Sequence, residues 1–233
     1  MSASVKKAIV LLSGGLDSST ALYWAKKQGY RCQALSIYYG QRHKREMGSA
    51  RAIAKRAKTP YQEIKIDLPW IKTSSLANKN KKLPNLSLNK IGQGPIPSTY
   101  VPGRNTVFLS LAVSLADATK TQAIIIGANA LDYSGYPDCR PNYLKAFSRV
   151  AHLGTQSGTT GSQIKILAPL LRLNKKEIVR LALKLNVPLE LTWSCYAGKK
   201  IPCGDCDSCK LRAKGFLAAK ISDPALNFNA PRT

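Results

Sequence analysis

The sequence has few acidic residues and no long apolar run. No segment approaches the roughly 20 consecutive apolar residues that a membrane-spanning helix needs, which excludes that class of protein. The apolar run at residues 8–12 is too short for the hydrophobic region of a signal peptide, so we expect a cytoplasmic protein. Internal repeats and low-complexity tracts are also absent. A length of 233 residues permits one substantial core with a small appendage.

Aspartate and glutamate are scarce: 12 of them stand against 36 lysines and arginines, which gives a formal net charge of +24. Such an excess suggests a polyanionic partner such as a nucleic acid. The lysines are, however, spread along the chain and are not interleaved with aromatic residues in one block. The charge therefore favours a solvated basic surface, and nucleic-acid contact stays open as an alternative.

Short apolar runs alternate with helical patterns, which predicts an α/β fold with a parallel sheet covered by helices. The predicted strands are residues 8–12, 32–39, 61–66, 123–126 and 164–168. The predicted helices are residues 18–29, 44–58, 105–119, 142–152, 174–185 and 211–220. Residues 67–99 lack periodicity and are rich in Pro, Asn, Ser and Lys. We expect them to form a long loop with a functional or mobile role.

The sequence Leu-Ser-Gly-Gly-Leu-Asp-Ser-Ser, residues 12–19, lies between the first strand and the first helix; we call it the phosphate loop. Its glycines allow a tight turn with amide groups facing a ligand, and the positive end of the helix favours an anion there. It is neither a Walker A nor a Gly-x-Gly-x-x-Gly motif. Asp17 either caps the helix or helps to hold Mg²⁺. The predicted nucleotide-binding residues are Leu12, Ser13, Gly14, Gly15, Leu16, Asp17, Ser18, Ser19, Thr20, Ala21 and Leu22.

Four cysteines lie within fifteen residues near the C-terminus, as Cys195-x7-Cys203-x2-Cys206-x2-Cys209. In a chain without a secretory signal, such crowding indicates a metal site rather than disulfides. Four thiolates suit a structural Zn²⁺ with no open coordination position, and an iron–sulfur cluster is the alternative. Zinc would organise a C-terminal segment, residues 191–233, that is too short for a core of its own. Residues 1–190 would form the nucleotide-binding α/β domain.

The phosphate loop closely resembles the pyrophosphate-binding loop of the ATP pyrophosphatase superfamily. This resemblance implies a five-stranded parallel sheet with helices on both faces. It also implies cleavage of ATP between the α and β phosphates, with adenylation of a carbonyl or carboxylate oxygen.

Four further segments are similar to one family within that superfamily, the 7-cyano-7-deazaguanine synthases: residues 39–43, 100–105, 132–141 and 203–212. The resemblance implies a carbon–nitrogen ligase of queuosine biosynthesis. Such an enzyme converts 7-carboxy-7-deazaguanine, ammonia and ATP to the 7-nitrile through an adenylate and an amide. It also implies a homodimer.

Residues of these segments are the predicted site. Arg104, His43 and Arg42 are predicted catalytic residues, because positive side chains near the phosphates stabilise developing charge. Asp17 of the phosphate loop is also predicted to be catalytic. The predicted substrate-binding residues are Asp132, Tyr133, Asp138 and Arg140. A carboxylate can accept hydrogen bonds from the guanine-like N–H groups and a tyrosine can stack, although turn capping is the alternative for both aspartates.

Two other functions stay open. A tRNA-thiolating enzyme of the same superfamily would account for the positive charge, and it needs a reactive cysteine outside the metal set, for which Cys139 is the well-placed candidate. A nucleic-acid-binding zinc module would account for the charge and the cysteines but not for an intact phosphate loop. Salt-sensitive RNA binding without ATP turnover would favour the module.

Overall fold

The computed structural model describes residues 5–131 and 136–226. Its five strands are all parallel and form one sheet in the order β3-β2-β1-β4-β5. The strands are β1 (Lys7–Leu11), β2 (Arg31–Tyr38), β3 (Tyr61–Lys65), β4 (Ala123–Ile126) and β5 (Lys165–Leu167). The helices are α1 (Leu16–Lys27), α2 (Arg45–Arg56), α3 (Arg104–Ala118), α4 (Pro141–Leu153), α5 (Gln156–Thr159), α6 (Lys175–Lys184) and α7 (Asp207–Ala219). The predicted five-stranded parallel α/β fold is confirmed.

The central strand β1 is apolar because both of its faces are covered. Ala8 and Val10 belong to the core that α1, α2, α6 and α7 form on one side of the sheet. Ile9 and Leu11 belong to the core that α3 and α4 form on the other side. Successive side chains of a strand point to opposite faces, so a strand buried on both faces shows a continuous apolar run.

The strand order reverses next to β1, which lies between β2 and β4. In open α/β sheets the ligand binds outside the carboxyl ends of the strands at such a point. The phosphate loop follows β1, and Gly127 follows β4. A Cβ atom on Gly127 would lie 2.8 Å from the backbone nitrogen of Ser18. The end of β4 and the start of α1 therefore touch directly, and only glycine fits at position 127.

Two helices differ from the prediction. Helix α7 begins at Asp207, directly after Cys206 at the N-cap position, whereas the sequence pattern predicts a helix only from residue 211. The first turn of α7 follows a Cys- and Gly-rich stretch and shows no apolar periodicity of its own, so the sequence pattern does not predict it. Helix α5 is a single turn on which Thr155 accepts a hydrogen bond from Gly158 N, and one turn is too short to show apolar periodicity. Among the residues that the structure describes, no helix is long and apolar enough to cross a bilayer.

The long loop is held against the rest of the fold by contacts at two places along its length. Residues 66–103, all of which are described, contain one 3₁₀ turn (Pro69–Thr73) and no other helix or strand. The Arg42 guanidinium donates to three loop carbonyls between residues 75 and 81, at 2.9–3.1 Å. Further along the loop, Leu86 N donates to the Asp207 carboxylate at 2.9 Å. Arg42, predicted to lie near the phosphates, instead holds this loop.

A buried ion pair holds the chain that follows α7 against that helix. Arg212 Nε and Asp223 Oδ2 lie 2.6 Å apart, and their side chains are 7% and 4% exposed. Asp223→Ala leaves a buried cation without its counter-charge, so we expect the free energy of unfolding in urea to fall by about 3–5 kcal/mol. The control is Glu63→Ala, which breaks the more exposed Arg51–Glu63 pair and should cost about 0–1 kcal/mol. Equal losses in the two variants would contradict this account.

Candidate active site and metal centre

A cavity of about 280 Å³ opens at the carboxyl ends of β1 and β4. The phosphate loop forms its floor, and residues 127–129 after β4 lie beside that loop. The first residues of α3, Arg104 and Asn105, form one wall. Another part of the lining comes from the C-terminal segment and includes Trp193 and Ser208. The cavity occupies the position at which parallel α/β sheets bind ligands.

The phosphate loop packs against the first turn of α2. Gly14 has a φ angle of +80°, a conformation that glycine adopts without steric cost. A Cβ atom at this position would lie 2.5 Å from Ala50 N and 2.6 Å from Glu46 O. Ser13 Oγ and Ser18 Oγ lie 3.0 Å apart across the turn. The loop therefore presents hydroxyl and amide donors at the N-terminus of α1.

Only part of the predicted nucleotide-binding stretch lines the cavity. The hydroxyls of Ser19 and Thr20 donate to the carbonyls of Gly15 and Leu16, each at 2.7 Å. Ala21 and Leu22 belong to the core. The residues of this stretch that line the cavity are Leu12, Ser13, Gly15, Leu16, Asp17 and Ser18.

Asp17 is paired with a lysine that the sequence analysis does not assign to the site. Lys175 Nζ lies 3.0 Å from both carboxylate oxygens of Asp17, and both residues line the cavity. Lys175 is the first residue of α6, whose start is fixed by a capping box between Asn174 and Glu177. The capping box is visible in the sequence, but the partner of Lys175 is not. The pair places a cation beside the phosphate loop.

Of the other predicted catalytic residues, Arg104 lines the cavity, as Asp17 does. His43 does not line it. Arg104 Nη1 lies 3.5 Å from the Tyr39 hydroxyl. The His43 ring packs against Gly198 in the cysteine-rich segment and lines a smaller recess of about 40 Å³. Burial lowers the pKa of the His43 imidazole, and interactions with Cys195 oppose that shift.

Asp138 and Arg140, which the sequence analysis predicts to bind substrate, lie outside the lining of the cavity. Asp138 Oδ2 accepts a hydrogen bond from Asn105 N at 3.0 Å and so caps the distant start of α3 rather than its own turn. Arg140 is exposed at the start of α4. Neither is among the described residues that line the cavity. Asp132 and Tyr133 lie outside the described residues.

Cys139 lines the cavity but is a poor nucleophile. Its Sγ accepts a hydrogen bond from Asn105 Nδ2 at 3.3 Å. Burial raises the pKa of the Cys139 thiol to about 11, and the charge of Asp138 adds to the rise. Because the thiolate is the reactive form of cysteine, this thiol is protonated and weakly nucleophilic at neutral pH. The position gives little support to a thiolating enzyme.

The four clustered cysteines are arranged for a metal ion. The sulfurs of Cys195, Cys203, Cys206 and Cys209 all lie within 4.8 Å of one another, and none is in a disulfide. Tetrahedral zinc at a Zn–S distance of about 2.3 Å would separate its sulfurs by about 3.8 Å. Cys203 Sγ and Cys209 Sγ are 3.9 Å apart. The thiol set therefore fits one small ion, because an iron–sulfur cluster would hold the sulfurs further apart.

The cysteine cluster is connected to the phosphate loop through Trp193. Trp193 N donates to Gly14 O at 2.9 Å, and Trp193 Nε1 donates to Cys195 O at 2.9 Å. The Arg45 guanidinium lies 4.4 Å from the centre of the Trp193 ring. One residue thus joins the metal-binding segment to the phosphate loop, through its backbone nitrogen and its indole ring.

The comparison with known proteins identifies the family. Residues 7–220 match the family model described as queuosine biosynthesis protein QueC. The chain belongs to that family. The 7-cyano-7-deazaguanine synthase of Nostoc punctiforme is 51% identical over 220 residues, which cover 94% of this chain and 98% of that protein. The synthase of Thermoplasma volcanium is 50% identical, over 94% of this chain and 90% of that protein.

A solved structure titled predicted subunit of tRNA methyltransferase, from Methanocaldococcus jannaschii, gives a TM-score of 0.49 at 19% identity, over 76% of this chain and 74% of that one.

In this QueC-family chain, metal removal should weaken nucleotide binding as well as stability. Without an ion to hold the cysteines together, Trp193 loses its support and the turn at Gly14 loses a hydrogen bond. We expect the dissociation constant for ATP to rise at least about tenfold, or about 1.4 kcal/mol, after dialysis against a chelator. Calorimetric titration with ATP, alongside metal analysis, measures this, and re-addition of zinc should restore binding. Unchanged ATP affinity in the metal-free protein would show that the Trp193 connection has no energetic role.

Proposed function

We propose that this protein is an ATP-dependent carbon–nitrogen ligase of queuosine biosynthesis that converts 7-carboxy-7-deazaguanine and ammonia to 7-cyano-7-deazaguanine. The observation that carries the proposal is the 51% identity to a synthase of this name, which extends over 98% of that relative. The position of the phosphate loop in the cavity supports it independently, because adenylation needs a site for the departing pyrophosphate.

The first half of the reaction makes the substrate carboxylate reactive. A carboxylate oxygen attacks the α-phosphorus of ATP, the bond to the bridging oxygen breaks, and pyrophosphate leaves. The backbone amides of the phosphate loop, the hydroxyls of Ser13 and Ser18, and the Lys175 ammonium are placed to hold pyrophosphate. Arg104, on another wall of the cavity, is placed to stabilise negative charge on the reacting oxygens. Ammonia then attacks the acyl carbon, AMP leaves, and an amide remains.

The second half is a dehydration at the same site. The amide oxygen attacks the α-phosphorus of another ATP, and pyrophosphate leaves again. Loss of both protons from nitrogen and of AMP from carbon completes the C≡N triple bond. Both carboxylate oxygens of the substrate therefore leave on AMP. One phosphate loop serves both steps, because the same anion departs in each.

Two metal ions complete the proposal. Cys195, Cys203, Cys206 and Cys209 would hold Zn²⁺, which when bound fixes the cavity wall that contains Trp193. Asp17, at the phosphate loop, would contribute to Mg²⁺ binding; the ion, when bound with ATP, would neutralise phosphate charge. We also expect a division into residues 1–190 and 191–233, a cytoplasmic location and a homodimer. Sedimentation of the purified protein tests the dimer.

The test follows products by mass spectrometry. The purified protein is incubated with ATP, magnesium, ammonium and 7-carboxy-7-deazaguanine, and a parallel sample omits ammonium. We expect the amide and then the nitrile in the complete mixture only, with AMP and pyrophosphate released. If ATP stays intact with this substrate, the proposal is wrong, and salt-sensitive binding of tRNA becomes the next property to measure.

A further inference from the structure

A small recess adjoins the main cavity. Its volume is about 40 Å³, and a water molecule requires roughly 10–15 Å³ on this measure. The recess therefore accepts a ligand of one or a few heavy atoms and excludes a purine ring. It shares several lining residues with the main cavity: Tyr39, Gln41, Glu46, Arg104 and Tyr196. The same side chains therefore border both spaces.

The lining residues suit a small nitrogen compound. Glu46 supplies a carboxylate, and Tyr39 and Tyr196 supply aromatic rings. Carboxylates bind an ammonium ion by charge-assisted hydrogen bonds, and aromatic rings bind it by cation–π interactions. The Gln41 side chain already has a backbone partner, because its Oε1 accepts a hydrogen bond from Tyr39 N at 3.0 Å. The recess thus offers Glu46 as its one carboxylate among the described lining residues.

The other charged and titratable groups of the recess favour ammonia over ammonium once the ion has entered. Arg104 approaches from α3, and Arg42 and His43 come from the loop before α2. Arg42 is engaged with carbonyls of the long loop, so the Arg104 guanidinium is the principal cation towards the main cavity. A fixed cation disfavours a second cation beside it. A proton acceptor in the recess would complete the conversion of ammonium to ammonia.

We propose that this recess is the ammonia site, in which Glu46 takes a proton from ammonium and releases neutral ammonia towards the activated carbon in the main cavity. An N–H bond of ammonium breaks and its proton passes to the Glu46 carboxylate. The nitrogen lone pair then forms the C–N bond while the C–O bond to AMP breaks. A second proton leaves nitrogen with the departing AMP, and Glu46 returns its proton to solvent. The inference rests on the proposed function.

The local structure explains why Glu46 is available for this role. It is the second residue of α2, and its backbone carbonyl lies against the turn at Gly14. The helix start is therefore held against the phosphate loop while the side chain lines the cavity. Burial raises the pKa of the Glu46 carboxyl to about 7, and the charge of Arg104 opposes the rise. A group with a pKa near neutrality can accept and return a proton efficiently.

The test separates activation of the acid from delivery of nitrogen. Glu46→Gln keeps the size of the side chain and removes its basicity. In the full-length enzyme we measure ATP–pyrophosphate exchange with the acid alone, amide formation with ammonium, and hydroxamate formation with hydroxylamine, which is largely uncharged at neutral pH. We expect exchange and the hydroxylamine reaction to stay close to wild type, while amide formation falls about 10²–10⁴-fold. Glu190→Gln, at an exposed position, is the matched control and should change none of the three.

Three results would overturn the inference. Amide formation at the wild-type rate would remove any role for the carboxylate. Equal losses with ammonium and hydroxylamine would assign Glu46 to structure rather than to proton transfer. Loss of ATP–pyrophosphate exchange would show that Glu46 acts in adenylation of the acid, before ammonia reacts. Failure of the proposed function is distinct, because the wild-type enzyme would then show no exchange with this acid.

Discussion

Gly14→Ala is expected to reduce ATP turnover at least about 100-fold, the loss that a displacement of about 1 Å in a reacting group can cause. The added Cβ would lie 2.5 Å from Ala50 N and 2.6 Å from Glu46 O, and backbone atoms of a helix cannot yield as a flexible side chain can. The phosphate loop would have to move away from α2. That movement also breaks the hydrogen bond between Gly14 O and Trp193 N. Release of pyrophosphate with saturating substrates measures the effect.

Gly29→Ala provides the matched control. Gly29 has a φ angle of +81°, close to that of Gly14, but a Cβ atom there would meet nothing within 4 Å. The control therefore carries the cost of a left-handed backbone, about 1–2 kcal/mol, without the clash. We expect it to lose stability in urea and keep its turnover. If both variants lost turnover equally, backbone strain rather than contact with α2 would explain the requirement for glycine.

Lys175→Met is expected to lower kcat/KM for ATP about 10²–10³-fold, the loss typical when one charge-stabilising donor is removed from an active site. Methionine keeps most of the length of the side chain but cannot bind phosphate or pair with Asp17, whose two oxygens lie 3.0 Å from Nζ. Lys184→Met, at an exposed position of the same helix, is the control and should retain wild-type kinetics.

The Asp17–Lys175 pair also predicts non-additive effects. Residues in direct contact show interaction energies when both are changed. Asp17→Asn in the Lys175→Met background should therefore cost less than it does alone. Purely additive losses would show that the two residues act independently, and a Lys175→Met variant that resembles wild type would show that the lysine does not act on the phosphates.

The parts of the site that depend on local sequence could be predicted. A phosphate loop is formed by consecutive residues between a strand and a helix, so its position follows once those two elements are identified. The metal site is similar, because the spacing of Cys203, Cys206 and Cys209 brings their sulfurs together within one turn and the start of one helix. Helix start signals likewise located α6 through its capping box at Asn174 and Glu177.

The parts that depend on tertiary contact could not be predicted. Lys175 is separated by 158 positions from Asp17, and nothing in the local sequence distinguishes it from the other lysines. Asp138 lies among turn-forming residues that suggest either a cap or a substrate contact, and only the packing of residues 137–139 beside α3 places its carboxylate on Asn105 N. The role of Trp193 as a bridge between Gly14 and Cys195 depends on the same kind of long-range contact.

The central claim is that the substrate's own oxygen is adenylated, and an isotope experiment tests it most directly. The acid is prepared with ¹⁸O in both carboxylate positions and incubated with the enzyme, ATP, magnesium and ammonium. Mass spectrometry of the nucleotide products should then find AMP that carries one ¹⁸O atom, and two such AMP molecules for each nitrile formed. Unlabelled AMP, or ¹⁸O in inorganic phosphate with ADP as the nucleotide product, would contradict adenylation of the substrate oxygen.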